Sequence, residues 1–144
     1  MSSPSAEDRF GLQRFLQAQD PVYAQVVAEL RDGRKASHWM WFVFPQLQGL
    51  GRSDMARRYA ISGCAEAAAY LAHPLLGARL RECTALVNAV QGRGIQQILG
   101  SPDDLKFHSC MTLFEAVAPQ EPLFGAAIAR FFGGRRDAQT LARL

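Results

Sequence analysis

Apolar residues recur along most of the chain every three or four positions, the spacing that places them on one face of an α-helix. The clearest stripe consists of Tyr23, Val26, Val27 and Leu30, and Gly33 follows it where helices commonly end. Similar stripes continue to the C-terminus, and an earlier one predicts a helix over residues 8–18. The pattern therefore predicts about eight short helices joined by tight turns.

Residues typical of helix ends separate these stripes. Predicted helix starts, with a side chain able to accept hydrogen bonds from the first turn, are Asp20, Ser37, Ser53, Ser62, Ser101 and Asp137. Predicted ends are Gly33, Pro45, Pro74, Gly92, Gly100, Pro119 and Gly133. No period of 20–50 residues repeats, which excludes a solenoid.

The apolar run at residues 39–44 contains both tryptophans and two phenylalanines. Its composition is typical of a buried strand, but no other segment alternates with period two, so a strand would have no partner for its backbone groups. We therefore predict a short buried helix that starts near Ser37 and ends before Pro45. The predicted fold class is all-α, a compact orthogonal array of about eight short helices around this segment.

The composition, with 49% hydrophobic and 20% charged residues, fits a soluble globular protein. We expect residues 1–7 to form a flexible N-terminal tail and residues 8–144 a single all-helical domain. No apolar stretch reaches the roughly 18 residues of a membrane span, and the first residues show no secretory signal. Because three unpaired cysteines fit a reduced compartment, we expect a cytoplasmic protein without a membrane partner.

The net charge of +3 arises mainly from arginine, since Lys35 and Lys106 are the only lysines. Arginine matches phosphate and carboxylate groups, although a genome rich in G and C would also produce this bias. Acidic residues such as Asp54 and Glu66 interrupt the basic runs, so nucleic-acid binding is not indicated.

Several chemistries lack their usual motifs. The three histidines and three cysteines show no metal-ligand spacing, and no nucleophile elbow or phosphate-binding glycine loop is present. Cys83 and Cys110 lie on apolar stripes, where a thiol is typically inert. We therefore expect neither a metal nor a cofactor.

One candidate site remains, at Gly49–Ser53. Glycines allow a ligand to approach the backbone, and a helix starting at Ser53 would present free N–H groups to an anion. Gly51 and Arg52 belong to this predicted site, in which the Arg52 guanidinium would bind a phosphate or carboxylate through two hydrogen bonds. The structural alternative is that the glycines only shape a turn and Ser53 only caps a helix.

Four further residues have a structural and a functional interpretation. Trp39 and Trp41 either pack in the core or form the wall of a pocket for a planar ligand. His38 is either a structural histidine or a proton-transfer group. Lys106 either pairs with Asp103 or takes part in catalysis.

The block Gly33-Arg34-Lys35-x-Ser37-His38-Trp39-Met40-Trp41-Phe42-x-Phe44-Pro45-Gln46-Leu47 resembles the signature of the bacterial family named domain of unknown function 1810. Segments 49–53, 56–61, 71–74, 80–83, 103–106 and 109–114 are similar to its other blocks. The resemblance spans residues 12–132 and implies a compact, mainly helical domain with no established activity. The calpastatin label that some members carry would require a disordered, repetitive chain, which this sequence does not resemble.

Within the family pattern, the positions with functional potential are His38, Trp39, Trp41, Gln46, Gly51, Arg52, Lys106, Ser109 and Thr112. Two functions follow as hypotheses. The first is a site for an anionic or nucleotide-like small molecule, with Arg52 and Ser53 holding the anion and His38 and Lys106 as candidate catalytic groups. The second is a non-enzymatic module that contacts a protein or a nucleic acid.

Overall fold

The computed structural model describes residues 8–144 and contains ten helices in this range. They are α1 (Gln13–Gln19), α2 (Tyr23–Arg31), α3 (Met40–Val43), α4 (Asp54–Arg58), α5 (Cys64–Ala72), α6 (Pro74–Ala89), α7 (Ile95–Leu99), α8 (Asp103–Val117), α9 (Pro122–Phe132) and α10 (Ala138–Arg143). The all-α prediction is confirmed, with a few more helices than expected. The predicted tail at residues 1–7 lies outside the described residues.

Two predicted caps and the predicted left-handed helix end are confirmed. The Ser53 hydroxyl accepts a hydrogen bond from the N–H of Ala56 at 3.1 Å, and the Asp137 carboxylate accepts one from Thr140 at 3.1 Å. Gly33 follows α2 with φ +75°, the left-handed conformation that glycine adopts without a steric penalty.

The other predicted caps are wrong because tertiary packing uses their groups differently. Asp20 ends α1 instead of starting α2, and its carboxylate pairs with Arg79 at 2.8 Å. Ser37 donates its hydroxyl proton to Glu29, and α3 begins after Trp39 without a side-chain cap. The predicted first helix is also shorter than expected, since α1 begins only at Gln13.

Ser62 and Ser101 do not cap helices either. The residue before α5 is Gly63, and the N–H of Ser62 donates to Glu66 inside that helix. Pro102 occupies the position before α8, where no side chain accepts a hydrogen bond from the first turn.

The apolar segment 39–44 forms the predicted short helix, and its core position is confirmed. Trp39 and Phe44 are almost fully buried, and the Phe44 ring meets Phe107 of α8 edge-on, with 5.0 Å between ring centroids. Phe42 packs against Tyr59 at 5.4 Å. Trp41 is the only member of the segment that remains partly exposed. Burial of this aromatic cluster is a large favourable term in folding.

Helices α6 and α8 are the longest, and they carry most of the packing. Helix α8 contacts α5, α7, α9 and α10, while α6 contacts α2, α3, α5 and α9. In the predicted stripe of α8, Phe107, Cys110, Met111 and Phe114 are completely buried, and Val117 at its end is partly exposed. No helix of residues 8–144 is long and apolar enough to cross a lipid bilayer.

The connection between α3 and α4 has a fixed course despite its irregular backbone. Leu47 and Ile61 form an isolated parallel bridge, in which the N–H of Ile61 donates to Gln46 at 3.0 Å and the N–H of Gln48 donates to Ile61 at 2.8 Å. These bonds anchor the segment that carries the predicted anion site.

Candidate functional site

The predicted corner at Gly49–Ser53 borders a cleft of about 540 Å³. We name it the arginine cleft, and its lining residues are Gln48, Gly49, Gly51, Arg52, Ala56, Arg57, Ala60 and Arg143. Its volume lies in the range of small-molecule sites. The three arginines come from the loop before α4, from α4 itself and from the C-terminal end of α10.

Gly49 allows Arg143 to reach this cleft. Its φ of +88° lies in the left-handed region, and a Cβ atom there would lie 2.5 Å from Arg143 Nη1. The guanidinium of Arg143 therefore rests against the bare backbone of the turn. A side chain at this position would strain the backbone and displace the arginine.

A hydrogen-bond cluster fixes the start of α10 on α8. Asp137 accepts from the hydroxyls of Ser109 at 3.1 Å and Thr140 at 2.6 Å. The backbone N–H of Asp137 donates to Thr112 Oγ1 at 3.0 Å, and that hydroxyl donates to the carbonyl of His108 at 2.9 Å. The predicted binding residues Ser109 and Thr112 thus hold the helix that presents Arg143.

The arginine cleft has an uncompensated positive charge. No carboxylate lines it, and none of its three arginines forms an ion pair with an acidic residue of the described chain. The three guanidinium groups are exposed, so they retain their full set of donors for an incoming anion. The Ser53 hydroxyl, by contrast, is used as the cap of α4.

A second cavity of about 460 Å³, which we name the lysine cavity, lies beside the first. Its lining residues are Gln46, Leu50, Gly51, Pro102, Leu105, Lys106, His108, Ser109, Asp137 and Gln139. It combines one ammonium, one carboxylate and two amides with the apolar surfaces of Leu50, Pro102 and Leu105. Gly51 lines both cavities.

Lys106 is held at the edge of this cavity by two neighbours. Its Nζ lies 5.1 Å from the centre of the Trp41 ring and 3.7 Å from a carboxylate oxygen of Asp103. The other lysine repeats the arrangement, since Lys35 Nζ lies 5.2 Å from the Trp39 ring and 3.0 Å from Asp103. The predicted contact between Lys106 and Asp103 is therefore present, and Trp41 provides a second one.

His38 and Trp39 are placed away from the two cavities. His38 is exposed and lines neither of them. Trp39 is buried, and its indole N–H donates to Glu29 at 2.9 Å. Trp39 therefore belongs to the core, and the geometry does not bring His38 into contact with the Arg52 corner.

The carboxylate of Glu29 is the most heavily hydrogen-bonded acid in the described part of the chain, and no sequence pattern indicated this role. Although it is only 5% exposed, it accepts hydrogen bonds from Gln25, Ala36, Ser37 and Trp39. Burial by itself raises the pKa of this carboxyl, but the hydrogen bonds outweigh it and lower the pKa from its usual 4.5 to about 2. The charged carboxylate holds the chain in place just before α3.

The two buried cysteines are poor nucleophiles. Burial raises the pKa of the Cys83 thiol to about 12 and that of Cys110 well above its usual value. A thiol, unlike a thiolate, reacts slowly with electrophiles. Within residues 8–144, no group of three or more His, Cys, Asp or Glu side chains is arranged to hold a metal ion.

The structure thus distributes the predicted site residues over three places. Gly51 and Arg52 line the arginine cleft, while Gln46, Gly51, Lys106 and Ser109 line the lysine cavity, with Trp41 against Lys106. Thr112 and Ser53 are used in capping and anchoring, and Trp39 in the core. Three lining residues, Arg57, Gln139 and Arg143, were not among the predicted site residues. Arg143 had no signal because it lies far from the loop in the sequence.

A family model described as "Protein of unknown function (DUF1810)" matches residues 9–144 of this chain. The chain belongs to the DUF1810 family. The resemblance predicted from the block at residues 33–47 is therefore confirmed.

A solved structure similar to this DUF1810 chain is the crystal structure of a conserved hypothetical protein from Mycobacterium tuberculosis. The two sequences are 58% identical, the TM-score is 0.94, and the match covers 95% of this chain and 98% of the other. None of the curated proteins matches the DUF1810 chain. The function has to be argued from the site, because the family description gives no activity.

Proposed function

We propose that this protein binds an anionic small molecule in the arginine cleft. The observation that carries the proposal is that Arg52, Arg57 and Arg143 line one concave surface, with no carboxylate among the described residues that line it. Three guanidinium groups from different elements can contact different oxygens of one phosphate-like group, and Arg–phosphate pairs are often bidentate. The anion would replace the missing counter-charge.

Hydrogen bonds hold the backbone next to two of these arginines, Arg52 and Arg143. The Gly49–Arg52 turn follows a segment held by backbone hydrogen bonds between Gln46, Gln48 and Ile61. Arg143 is carried by a helix whose start is fixed by Asp137. Preformed donors reduce the entropy lost on binding, which is the advantage of a built site over free surface arginines.

The proposal covers binding and assigns no reaction. Of the two candidate catalytic residues, Lys106 lines the neighbouring cavity and is engaged by Asp103 and Trp41, whereas His38 lines neither cavity. Their positions therefore do not support a proton transfer by these two residues to an anion bound at Arg52.

The alternative function, a module that contacts a protein or a nucleic acid, has one observation in its favour. The arginines of the cleft are exposed and would also contact the phosphates of a nucleic acid. We favour the small molecule because the arginines surround a concavity instead of forming a flat face. Affinity for single-stranded oligonucleotides that rises steadily with their length would support the alternative.

The test is a thermal-shift and calorimetric titration with phosphate, pyrophosphate and citrate in a phosphate-free buffer. A ligand that binds only the folded state raises the free energy of unfolding by about 2.7 kcal/mol at a hundredfold excess over its dissociation constant. We expect Arg52→Gln and Arg143→Gln each to weaken binding about tenfold.

The matched control is Arg93→Gln, which removes the same charge from an exposed position outside both cavities. It should leave the affinity within about twofold of the wild-type value, because Arg93 does not line the cleft and exposed charges are screened by salt. Loss of affinity in all three variants alike, or no binding by the wild type, would contradict the proposal.

A further inference from the structure

The arginine cleft and the lysine cavity are neighbours with a common wall. Along the loop before α4, Gln46 and Leu50 line the lysine cavity, Gly49 and Arg52 line the arginine cleft, and Gly51 lines both. The segment therefore passes between the two cavities and is exposed to each in turn.

Gly51 is closely packed at the junction, where Ala56 and Gln46 leave no room for a side chain of its own. A Cβ atom at this position would lie 2.5 Å from the Cβ of Ala56, which lines the arginine cleft. It would also lie 3.1 Å from the amide nitrogen of Gln46, which lines the lysine cavity. Its φ is not in the left-handed region, so close packing explains this glycine better than backbone conformation does.

Helix α10 connects the same two cavities on the other side. Asp137 and Gln139 at its start line the lysine cavity, and Arg143 at its end lines the arginine cleft. A helix rises 1.5 Å per residue, so the span from Gln139 to Arg143 is about 6 Å. This is the length of a small organic molecule, which can therefore contact both ends of the helix.

The two cavities differ in chemistry. Among the described residues, the arginine cleft is lined by three cations and no acid, whereas one cation, Lys106, and one acid, Asp137, line the lysine cavity. The amides of Gln46 and Gln139 offer both donors and acceptors. Leu50, Pro102 and Leu105 supply apolar surface. The second cavity thus matches a neutral group that carries hydroxyls or amides.

We propose that the two cavities form one bipartite site for a phosphorylated molecule with a neutral polar body, of the class that includes sugar phosphates and nucleoside monophosphates. The phosphate occupies the arginine cleft, and the hydroxyl- or amide-bearing body occupies the lysine cavity across Gly51. This inference rests on the proposed function, because it assigns the anion of that proposal to a larger ligand.

The test compares four probes by calorimetry: inorganic phosphate, ribose 5-phosphate, adenosine 5′-monophosphate and unphosphorylated adenosine. We expect at least one organic phosphate to bind about tenfold or more tightly than inorganic phosphate, since one or two added hydrogen bonds supply a gain of that size. The better of the two organic phosphates distinguishes a sugar phosphate from a nucleoside phosphate. Adenosine alone should bind more weakly than either.

Leu105→Glu tests the second cavity. Leu105 is 60% exposed and lines the lysine cavity, so a carboxylate there should reduce the cavity's affinity for the body of the ligand without disturbing the core. Leu75→Glu is the matched control, because Leu75 is 43% exposed and lines neither cavity. In each variant we divide the dissociation constant of inorganic phosphate by that of the organic phosphate. A change in the electric field at the arginines affects both ligands and therefore cancels in this ratio.

We expect this ratio to fall to about one in Leu105→Glu and to stay at its wild-type value in Leu75→Glu. An organic phosphate that binds no tighter than inorganic phosphate, or a ratio unchanged by Leu105→Glu, overturns the bipartite site and leaves the anion site standing. Failure of inorganic phosphate and both organic phosphates to bind overturns the proposed function together with this inference.

Discussion

Thr112 accepts a hydrogen bond from the backbone N–H of Asp137 across 3.0 Å and so joins two helices that are distant in sequence. The same hydroxyl donates to the carbonyl of His108, which fixes its direction. Since α10 carries Arg143, a buried hydroxyl in the core sets the position of an exposed guanidinium at the arginine cleft.

Thr112→Val tests this connection. The substitution keeps the side-chain shape and removes the acceptor of the Asp137 N–H, so the free energy of unfolding should fall by about 1–2 kcal/mol. Phosphate binding should also weaken, because the start of α10 is less firmly held. Urea unfolding and calorimetric titration measure the two effects.

Thr84→Val is the matched control for that variant. Thr84 is equally buried, but within residues 8–144 its hydroxyl hydrogen-bonds only to the carbonyl of Leu80 in its own helix. We expect a loss of less than about 1 kcal/mol and no change in phosphate affinity. Unchanged phosphate binding by Thr112→Val would show that Arg143 is positioned without the anchor at Asp137.

Gly49 should be intolerant of any side chain for two separable reasons. In Gly49→Ala the left-handed backbone costs about 1–2 kcal/mol, and the added Cβ displaces the Arg143 guanidinium. Gly49→Asn should recover part of the stability, since asparagine tolerates this conformation better. Both variants should bind phosphate more weakly than the wild type. Wild-type affinity in either one would exclude the Gly49–Arg143 contact from the site.

Glu29 should make stability depend on pH in the acid range. Because folding lowers the pKa of this carboxyl from 4.5 to about 2, its contribution is complete above about pH 4.5 and is lost as the pH falls toward 2. Glu29→Gln should lower the free energy of unfolding at pH 7 by about 3 kcal/mol, because hydrogen bonds to a charged acceptor are lost and buried donors are left without a partner. It should also flatten the acid dependence.

Tryptophan fluorescence during urea unfolding reports this region, since both tryptophans, Trp39 and Trp41, lie in it and the Trp39 indole donates to Glu29. Asp32→Asn serves as the control, because Asp32 is exposed and its carboxylate accepts no hydrogen bond from residues 8–144. It should retain the wild-type pH profile. An equally steep acid loss in Glu29→Gln would contradict the assignment to Glu29.

The three cysteines should differ in reactivity. Cys64 is exposed, whereas Cys83 and Cys110 are buried with raised thiol pKa values. Maleimide should therefore modify one thiol per native chain at pH 7 and all three in denaturant, as counted by mass spectrometry. Rapid modification of Cys83 in the native protein would show that α6 opens locally.

Much of the fold could be predicted because its signals are local. The stripe from Tyr23 to Leu30, the cap at Ser53 and the left-handed glycine at residue 33 each depend on neighbours within one or two turns. The incorrect caps, Ser37 among them, show the limit of this reasoning. A serine hydroxyl forms a hydrogen bond with whichever partner the packing places nearest, and for Ser37 this partner is Glu29 on the preceding helix.

The candidate site was predictable only in part. The turn at Gly49–Ser53 and Arg52 were visible as a glycine-spaced segment before a helix start, and Lys106 as a cation in an unfavourable first turn. Nothing local indicated Arg143 as a partner of Arg52. The sequence did not predict the common wall at Gly51 either, because that wall depends on how Ala56 and Gln46 pack against this glycine.

The sequence by itself determined the all-α class, most helix positions, the buried Trp39–Phe44 segment and the family. These features depend on the spacing of apolar residues and on short motifs, both of which are local in the sequence. The tertiary structure alone decided that Arg143 rests on Gly49 and that Thr112 and Asp137 hold it there. It also decided that Glu29 holds the chain before α3. These contacts join residues far apart in the chain, and their geometry is set by how whole helices pack.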